Sequence, residues 1–592
     1  MTRKKYVSIG LSLLALAGII LGAAWWGKAF FTSVQNHRSP LRQAALAPQP
    51  VVAPKQAKVV MVLISGLGYD ASLLLDLPAL EQLKQAGATM AVESTPPTYS
   101  QTAWATLITG APPETNDAPP VDLPVAQLHP LEVDTLFARA HAAQLPTALV
   151  GPAPWRRLIP RNQLDHTFFA DSAGPEADAA ILEATLPLLK NDDIALTLAH
   201  FTQVDLAGQN LGGTESSAYR QAALQVDAYL GQISQALDLN RSVLVVLSDH
   251  GHIPDGGHGG DEVEVIWQPL VMIGQGITPG NYSDIRQTDI APTVSTLLGL
   301  AAPTASQGRI LFELLRLDER EQAQAQLSLA QQRLALAEAY ASQIEGTPTP
   351  VPQAILTDLA RAQTAFITNN LSGAFQLALL TQQEADAYLL AARRYRVASG
   401  QWWRLPVALI ILLVWFSFIW RRRGEHAGSI LIAAGLTLGL YHILYQLQGH
   451  TYSVSGLGNF SEWPFDIARR TAVSLLAGGG LMLIFLMLAR EEDWLTLLST
   501  SYGFGLLVTF AFALPLFWAF WQNGLTVTWH LPAILPAFWQ ITGLLEVMIA
   551  AILALVLPWP IMILNLFVNL IRRRLDESRA RAKSDALPGL HL

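Results

Sequence analysis

The sequence predicts an α/β domain, a doubly wound and mostly parallel sheet, joined to a helical hairpin and a bundle of transmembrane helices. Three observations predict it. Short apolar, β-branched runs alternate with helix-like segments across residues 58–315, the pattern of a sheet covered by helices on both faces. In residues 316–404 the strand pattern stops and Gln, Ala and Leu recur at helical spacing. Apolar stretches long enough to cross a bilayer core, which takes about 20 residues, lie at the start of the chain and through residues 405–574. Composition agrees: 51% of the 592 residues are hydrophobic and 14% are charged, against about 25% charged in soluble domains. That excludes a disordered chain. With no cysteine there is no disulfide framework, thiolate metal site or cysteine nucleophile, so a metal would need His, Asp, Glu, hydroxyl or amide ligands. The net charge of −8 gives no reason to expect nucleic-acid binding.

In residues 1–31, Arg3, Lys4 and Lys5 precede an apolar run, Tyr6–Gly27. It reads as a retained anchor, because the apolar core of a signal peptide is only about 7–15 residues. Residues 32–57, with Pro40, Pro48, Pro50 and Pro54, read as a Pro/Ala-rich linker. In residues 58–315, strands are expected at Val59–Ile64, Thr147–Val150, Ile194–Ala199 and Ser242–Leu247. Helices are expected over Ser72–Gln85, Leu131–Gln144, Pro175–Leu189 and Ser216–Leu237. In residues 316–404, Leu317–Ile344 and Gln353–Ser399 flank a Pro-rich break, Gly346–Pro350, and predict a hairpin or stalk.

Residues 405–574 predict about five spans: Leu405–Trp420, Ala427–Leu447, Thr471–Ala489, Trp494–Trp521, and a last stretch from Leu531 to Ile571. That stretch is too long for one span. It is read as a re-entrant Leu531–Gln540 followed by Ile541–Ile571 kinked near Pro558 and Pro560, or else as two helices joined by a tight turn near Pro558. Residues 575–592 form a tail. Basic clusters at Arg3–Lys5, Arg421–Arg423 and Arg572–Arg574 place both termini in the cytoplasm and the α/β domain outside it, at the plasma membrane. Arg469 and Arg470 disagree with that orientation.

Ligands of doubly wound sheets gather at the carboxyl ends of strands. There the chain carries Ser65-Gly66 after the first strand, Asp205 to Gln209 after the third, and Ser248-Asp249-His250-Gly251-His252 with Gly257-His258-Gly259 after the fourth. Acidic residues and histidines at such a mouth suit a divalent metal. Ser100, in Pro97-Thr98-Tyr99-Ser100, stands at or near the start of a helix that ends at Gly110. It is a nucleophile if a metal lowers its pKa and an ordinary N-cap otherwise.

In this order the motifs resemble the alkaline phosphatase superfamily, most of all its type I phosphodiesterase/nucleotide pyrophosphatase branch, from about Lys58 to Leu311. The resemblance rests on the opening strand and turn, Pro-Thr-Tyr-Ser with its Thr-Gly-Ala-Pro-Pro-Glu continuation, Ser-Asp-His-Gly, Gly-His-Gly-Gly, and Thr288-Asp289-Ile290-Ala291-Pro292-Thr293. It implies an alkaline phosphatase-like fold and a hydroxyl nucleophile between two divalent ions, Zn, Mn or Mg, that becomes phosphorylated. Ser100 falls on the nucleophile, Asp249 and His250 on ligands of one ion, and Asp205 and His258 on ligands of the other. Two positions depart from the family. Ser65 stands where a metal-binding Asp is expected and Gln209 where a His is expected; their neutral oxygens are weaker ligands for both ions.

The resemblance implies a membrane-bound extracytoplasmic phosphodiester hydrolase whose partners are membrane lipid and a phosphoester substrate, lipid- or glycan-linked. One alternative is transfer of a phospho-headgroup to a lipid or glycan, because the layout is similar to the ethanolamine-phosphate transferases of the superfamily and Glu546 lies within a span. The other is a catalytically inactive binding or scaffold protein, motivated by Ser65 and Gln209.

Overall fold

The structure, a computed structural model, describes residues 2–42, 58–420, 426–457 and 463–585. Most of the expected linker, the Arg421–Arg423 cluster and the end of the tail lie outside the described residues.

One nine-stranded sheet contains β1 (Lys58–Ile64), β2 (Ala88–Glu93), β3 (Thr147–Pro152), β4 (His166–Ala170), β5 (Leu196–Phe201), β6 (Ser242–Leu247), β7 (Trp267–Gly274), β8 (Gly280–Asn281) and β9 (Ile285–Arg286). The order is β4-β3-β5-β1-β6-β7-β2-β8, with β9 also on β2. It is the mostly parallel, doubly wound sheet expected. β1 runs parallel to β5 and β6, and only β7 opposes its neighbours β6 and β2. Register sets the site: Ile64 pairs with Phe201 and Leu63 with Leu247, so the residues after β1, β5 and β6 emerge side by side at one edge.

The β1 pleat sends Val59, Met61 and Leu63 into one core with Trp104 and Trp155, and Val60, Val62 and Ile64 into the other with Ile181 and Val226. A strand buried on both faces explains why β1 reads as an unbroken apolar run. β2, β4 and β7 were not expected. β4 is a half-exposed edge, and Pro269 disguises β7.

Several helices differ from expectation. Ser72–Gln85 is two short helices, Tyr69–Leu74 and Pro78–Ala86, because Pro78 starts a new one at its first position. After Glu319–Glu345, the second hairpin arm divides into Gln353–Ile367 and Leu371–Trp420, with Asn369 left-handed at φ 59° between them. The 50-residue Leu371–Trp420 helix, about 75 Å long at 1.5 Å per residue, runs unbroken from stalk to membrane. The re-entrant Leu531–Gln540 is not formed. Helix Ile534–Val556 tolerates Pro536 because the first helical turn needs no N–H donor there. It is followed, past Leu557, by a second helix, Pro558–Asp585.

Six helical stretches among the described residues are long and apolar enough to cross a membrane. Their ends sort into two groups. At one end Lys5 pairs with Asp493 at 2.6 Å, and Asn565 and Asn569 donate to the Glu491 carbonyl. At the other, Trp26 donates to the Leu525 carbonyl, Arg404 donates to that of Gln522, and the α/β domain begins. Arg469 and Arg470 stand at this second end, where Asp466 pairs with both at 3.0 and 2.9 Å.

Candidate active site

The site is assembled from the loops after β1, β5 and β6 and from the start of the Ser100–Thr109 helix. Tyr99 supplies the cap position with extended backbone, so Ser100 is the first helical residue and does not cap it. The Ser100 Oγ instead lies 3.1 Å from His250 Nε2. Gly110 closes the helix in the left-handed conformation, as expected.

The β6 loop sets two imidazoles beside each other. His250 turns Nδ1 to the Gly251 carbonyl at 3.0 Å, and His252 turns Nδ1 to the Gly66 carbonyl at 3.2 Å. Both Nδ1–H groups therefore donate to backbone, and both Nε2 atoms face the site. His258 stacks on His250, rings 4.2 Å apart and 5° from parallel, and its Nε2 is buried with no hydrogen-bond partner. Asp205, in the first turn of Gln203–Asn210, lies 2.9 Å from His252 Nε2 and accepts from Gln209 Nε2 at 2.7 Å. Burial alone would raise the Asp205 pKa, but the His252 hydrogen bond and the neighbouring His250 and His258 hold it well below the usual carboxylate range.

Asp205, His250, His252 and His258 each offer a donor atom, all within 4.8 Å of one another. One carboxylate and three imidazoles, two already anchored through their other nitrogen, are the ligand types and outer-sphere bonds of transition-metal sites. These residues fit a divalent ion.

Asp249 is placed differently. Its Oδ1 accepts from the Gly66 and His250 amides, both at 3.0 Å, and its Oδ2 from Ser65 Oγ and Trp104 Nε1, both at 2.7 Å. Those four donors fill its acceptor positions. Burial raises the Asp249 pKa, and the nearby His250 and His200 and the Ser65 bond outweigh it to leave a value below normal. His200, inside β5, is buried and accepts from Trp155 Nε1 at 2.9 Å; burial pushes its pKa down to about 4, so it is neutral at neutral pH.

The structure thus brings Ser100, Asp205, His250, His258 and Gln209 together, with Asp249 Oδ2 also 3.6 Å from His250 Nε2 and hydrogen-bonded to Ser65 behind it. Sequence reasoning gave no role to His252, Trp104 or His200. For His252 the signal was its place two residues after His250 in the same loop; for the buried indole and imidazole there was none.

Residues 143–263 match the family model described as type I phosphodiesterase / nucleotide pyrophosphatase, so the resemblance read from the motifs holds. Among characterised proteins, the chain is 26% identical over 330 residues to the human GPI ethanolamine phosphate transferase 2 catalytic subunit, covering 50% of this chain and 33% of that protein. It is 27% identical over 380 residues to the mouse GPI ethanolamine phosphate transferase 3 catalytic subunit, covering 62% and 33%. The chain spans about a third of the length of these curated relatives. Among solved structures it is similar to murine ectonucleotide pyrophosphatase/phosphodiesterase 5, with TM-score 0.34, 15% identity and coverage of 41% of this chain and 96% of that one.

Proposed function

We propose that the chain is a membrane-embedded phospho-headgroup transferase, moving a phosphoethanolamine-type group from a donor phosphodiester to a hydroxyl of a lipid-linked glycan. The observation that carries the reading is the Ser100 hydroxyl beside the Asp205, His250, His252 and His258 cluster. The activity named for the relatives, ethanolamine phosphate transfer, supports transfer over the hydrolysis expected first. In this proposal the α/β domain faces away from the cytoplasm.

Asp205, His250, His252 and His258 would hold one ion, with His252 in the part that Gln209 leaves open. When bound, the ion lowers the Ser100 pKa and stabilises charge on the phosphoryl oxygens. Three imidazoles favour Zn or Mn over Mg, which prefers oxygen ligands. Gln209 orients Asp205. Ser65 and Asp249 serve as scaffold, tying the β1 turn to the β6 loop.

Ser100 Oγ forms a bond to phosphorus as the bond to the donor's alcohol oxygen breaks, and the seryl proton ends on that alcohol. In the second half the acceptor oxygen displaces Ser100 and its proton returns to Oγ. The positive end of the Ser100–Thr109 helix favours the anionic group throughout.

The test uses full-length chain in proteoliposomes with Zn or Mn, phosphatidylethanolamine labelled in its headgroup, and a GPI-type glycolipid. Label is expected on the glycolipid, and none with Ser100→Ala. Label released only as free phosphoethanolamine would establish a hydrolase and refute transfer.

A further inference from the structure

The loop that carries His258 also walls a cavity at the membrane end of the domain. The cavity, ≈ 840 Å³, lies between Asp255 and Gly257 on one side and Gln448, Asp466 and Arg470 on the other. The two sides touch. Gly260 N–H donates to Ser455 Oγ at 2.8 Å, Ser455 Oγ donates to Glu262 at 2.8 Å, and a Cβ on Gly257 would sit 1.9 Å from the Ser455 carbonyl oxygen.

Arg470 makes this a built site. It is 3% exposed although it belongs to an apolar helix, Trp463–Leu488. Its Nη1 donates to Gln448 Oε1 at 2.9 Å and its guanidinium lies 4.5 Å over the Tyr445 ring. Its Nε is buried with no partner, as is the Nε1 of Trp463 on the same wall. Its Nη2 also pairs with Asp466 at 2.9 Å, a carboxylate it shares with Arg469 at 3.0 Å. A cationic group with an open donor, held at such cost in an apolar helix, suits an anionic ligand. Phe465 lines the same cavity and is 82% exposed on the outer surface of the apolar bundle, an apolar path for acyl chains.

We infer that this cavity seats the phosphodiester headgroup of a membrane glycerophospholipid, with its phosphate on Arg470 and its tails running out past Phe465. The cavity is a holding site, since Ser100 is not among its lining residues; calling this lipid the donor rests on the transferase reading, in which its phosphate moves on to Ser100, and the binding itself stands on the cavity alone.

Lipid retention by the purified full-length chain is read by native mass spectrometry after titration with phosphatidylethanolamine, with diacylglycerol, and with inorganic phosphate as competitor. Phosphatidylethanolamine is expected to be retained, diacylglycerol to be lost, and phosphate at equal concentration not to displace the lipid. Arg470→Gln is expected to weaken retention about tenfold, the worth of one charge-assisted bond. Gln448→Trp, at an exposed position on the rim, is expected to weaken it as well, which covers the case in which Arg470→Gln does not fold. Equal retention of diacylglycerol, displacement by free phosphate, or wild-type retention in the folded variants would each overturn the inference. Ser100→Ala is expected to keep lipid while losing turnover, so failure of the transferase reading and failure of the lipid site are read separately.

Discussion

Whether Ser65 and Asp249 hold a metal or hold the fold is decided by one substitution, Ser65→Ala. Both residues are fully buried, and the Ser65 Oγ donates to Asp249 Oδ2 at 2.7 Å. Removing a hydrogen bond to a buried carboxylate costs about 1.5–3 kcal/mol, and loss of one hydroxyl opens little volume. Trp104→Phe removes the other donor to the same oxygen and trims a ring stacked 5.2 Å from Trp155. With both donors gone Oδ2 is unpaired, so the double variant should lose more than the sum, by a coupling of about 0.5–3 kcal/mol. A loss of about 2 kcal/mol lowers Tm by roughly 4–8 °C for a domain of this size. The assay is thermal unfolding of the full-length chain by near-UV circular dichroism at pH 7, with metal content by elemental mass spectrometry on the same samples. Asp249 has a folded pKa below the ordinary carboxyl value of 3.8. Its contribution is thus complete above the unfolded value and is lost only as pH falls through the lower folded one. The expected result is lower Tm at unchanged metal content. Unchanged Tm with a loss of metal in Ser65→Ala would refute the reasoning and return Ser65 and Asp249 to the metal.

His252→Ala is expected to abolish stoichiometric Zn binding, and Gln209→Ala to weaken it about 10–100-fold by freeing Asp205, as second-sphere changes do; titration calorimetry measures both. Gly66 has φ +79°, and a Cβ there would lie 2.5 Å from His252 Cε1. Gly66→Ala should therefore cost more than the roughly 1–3 kcal/mol of backbone strain and should lose the metal too, checked by Tm and metal content. Asp178 is buried and accepts from the Thr202 and Gln203 amides, and burial raises its pKa from 3.8 to about 6. A raised carboxyl pKa favours folding at low pH and loses that advantage as pH rises through the folded value. Tm should thus carry a falling component from about pH 4 to 6, worth about 3 kcal/mol, that Asp178→Asn flattens.

The central strands were legible because β1, β5 and β6 are buried on both faces and must be apolar at every position. β4 and β7 were not, since an exposed edge and an internal proline erase the signal. In the site, Ser100, Asp205, His250 and His258 could be named because they belong to ordered motifs. The carboxylate network could not. Ser65 reads in sequence as a lost ligand, and only the sheet register shows that it and Trp104, 39 positions later in the chain, meet on one oxygen of Asp249. The apolar runs announced membrane helices, but not that the stalk and the second span are a single helix, because Arg393 to Arg404 interrupt the hydropathy without interrupting the helix.

Arg469 and Arg470 conflict with the charge rule only while they are counted as topology signals. Paired with Asp466 and lining a cavity, they are held where they stand by local partners. The same end of the bundle grips the α/β domain at three separate places. Past the first apolar helix, Arg38 makes a two-pronged bond to the buried Asp117, at 2.9 and 2.7 Å. On the stalk, Arg393 donates to Glu114 at 2.7 Å. Between the later spans, Ser455 accepts from Gly260, two residues from His258. Glu114 and Asp117 follow directly on the helix that starts with Ser100, and Gly260 belongs to the loop of His258. Two of the grips thus hold the segment that follows the Ser100 helix and the third holds the loop of His258. A domain fastened on both sides of the candidate site is held at a fixed height over the bundle, which on the proposed transferase reading suits a headgroup carried by a membrane lipid.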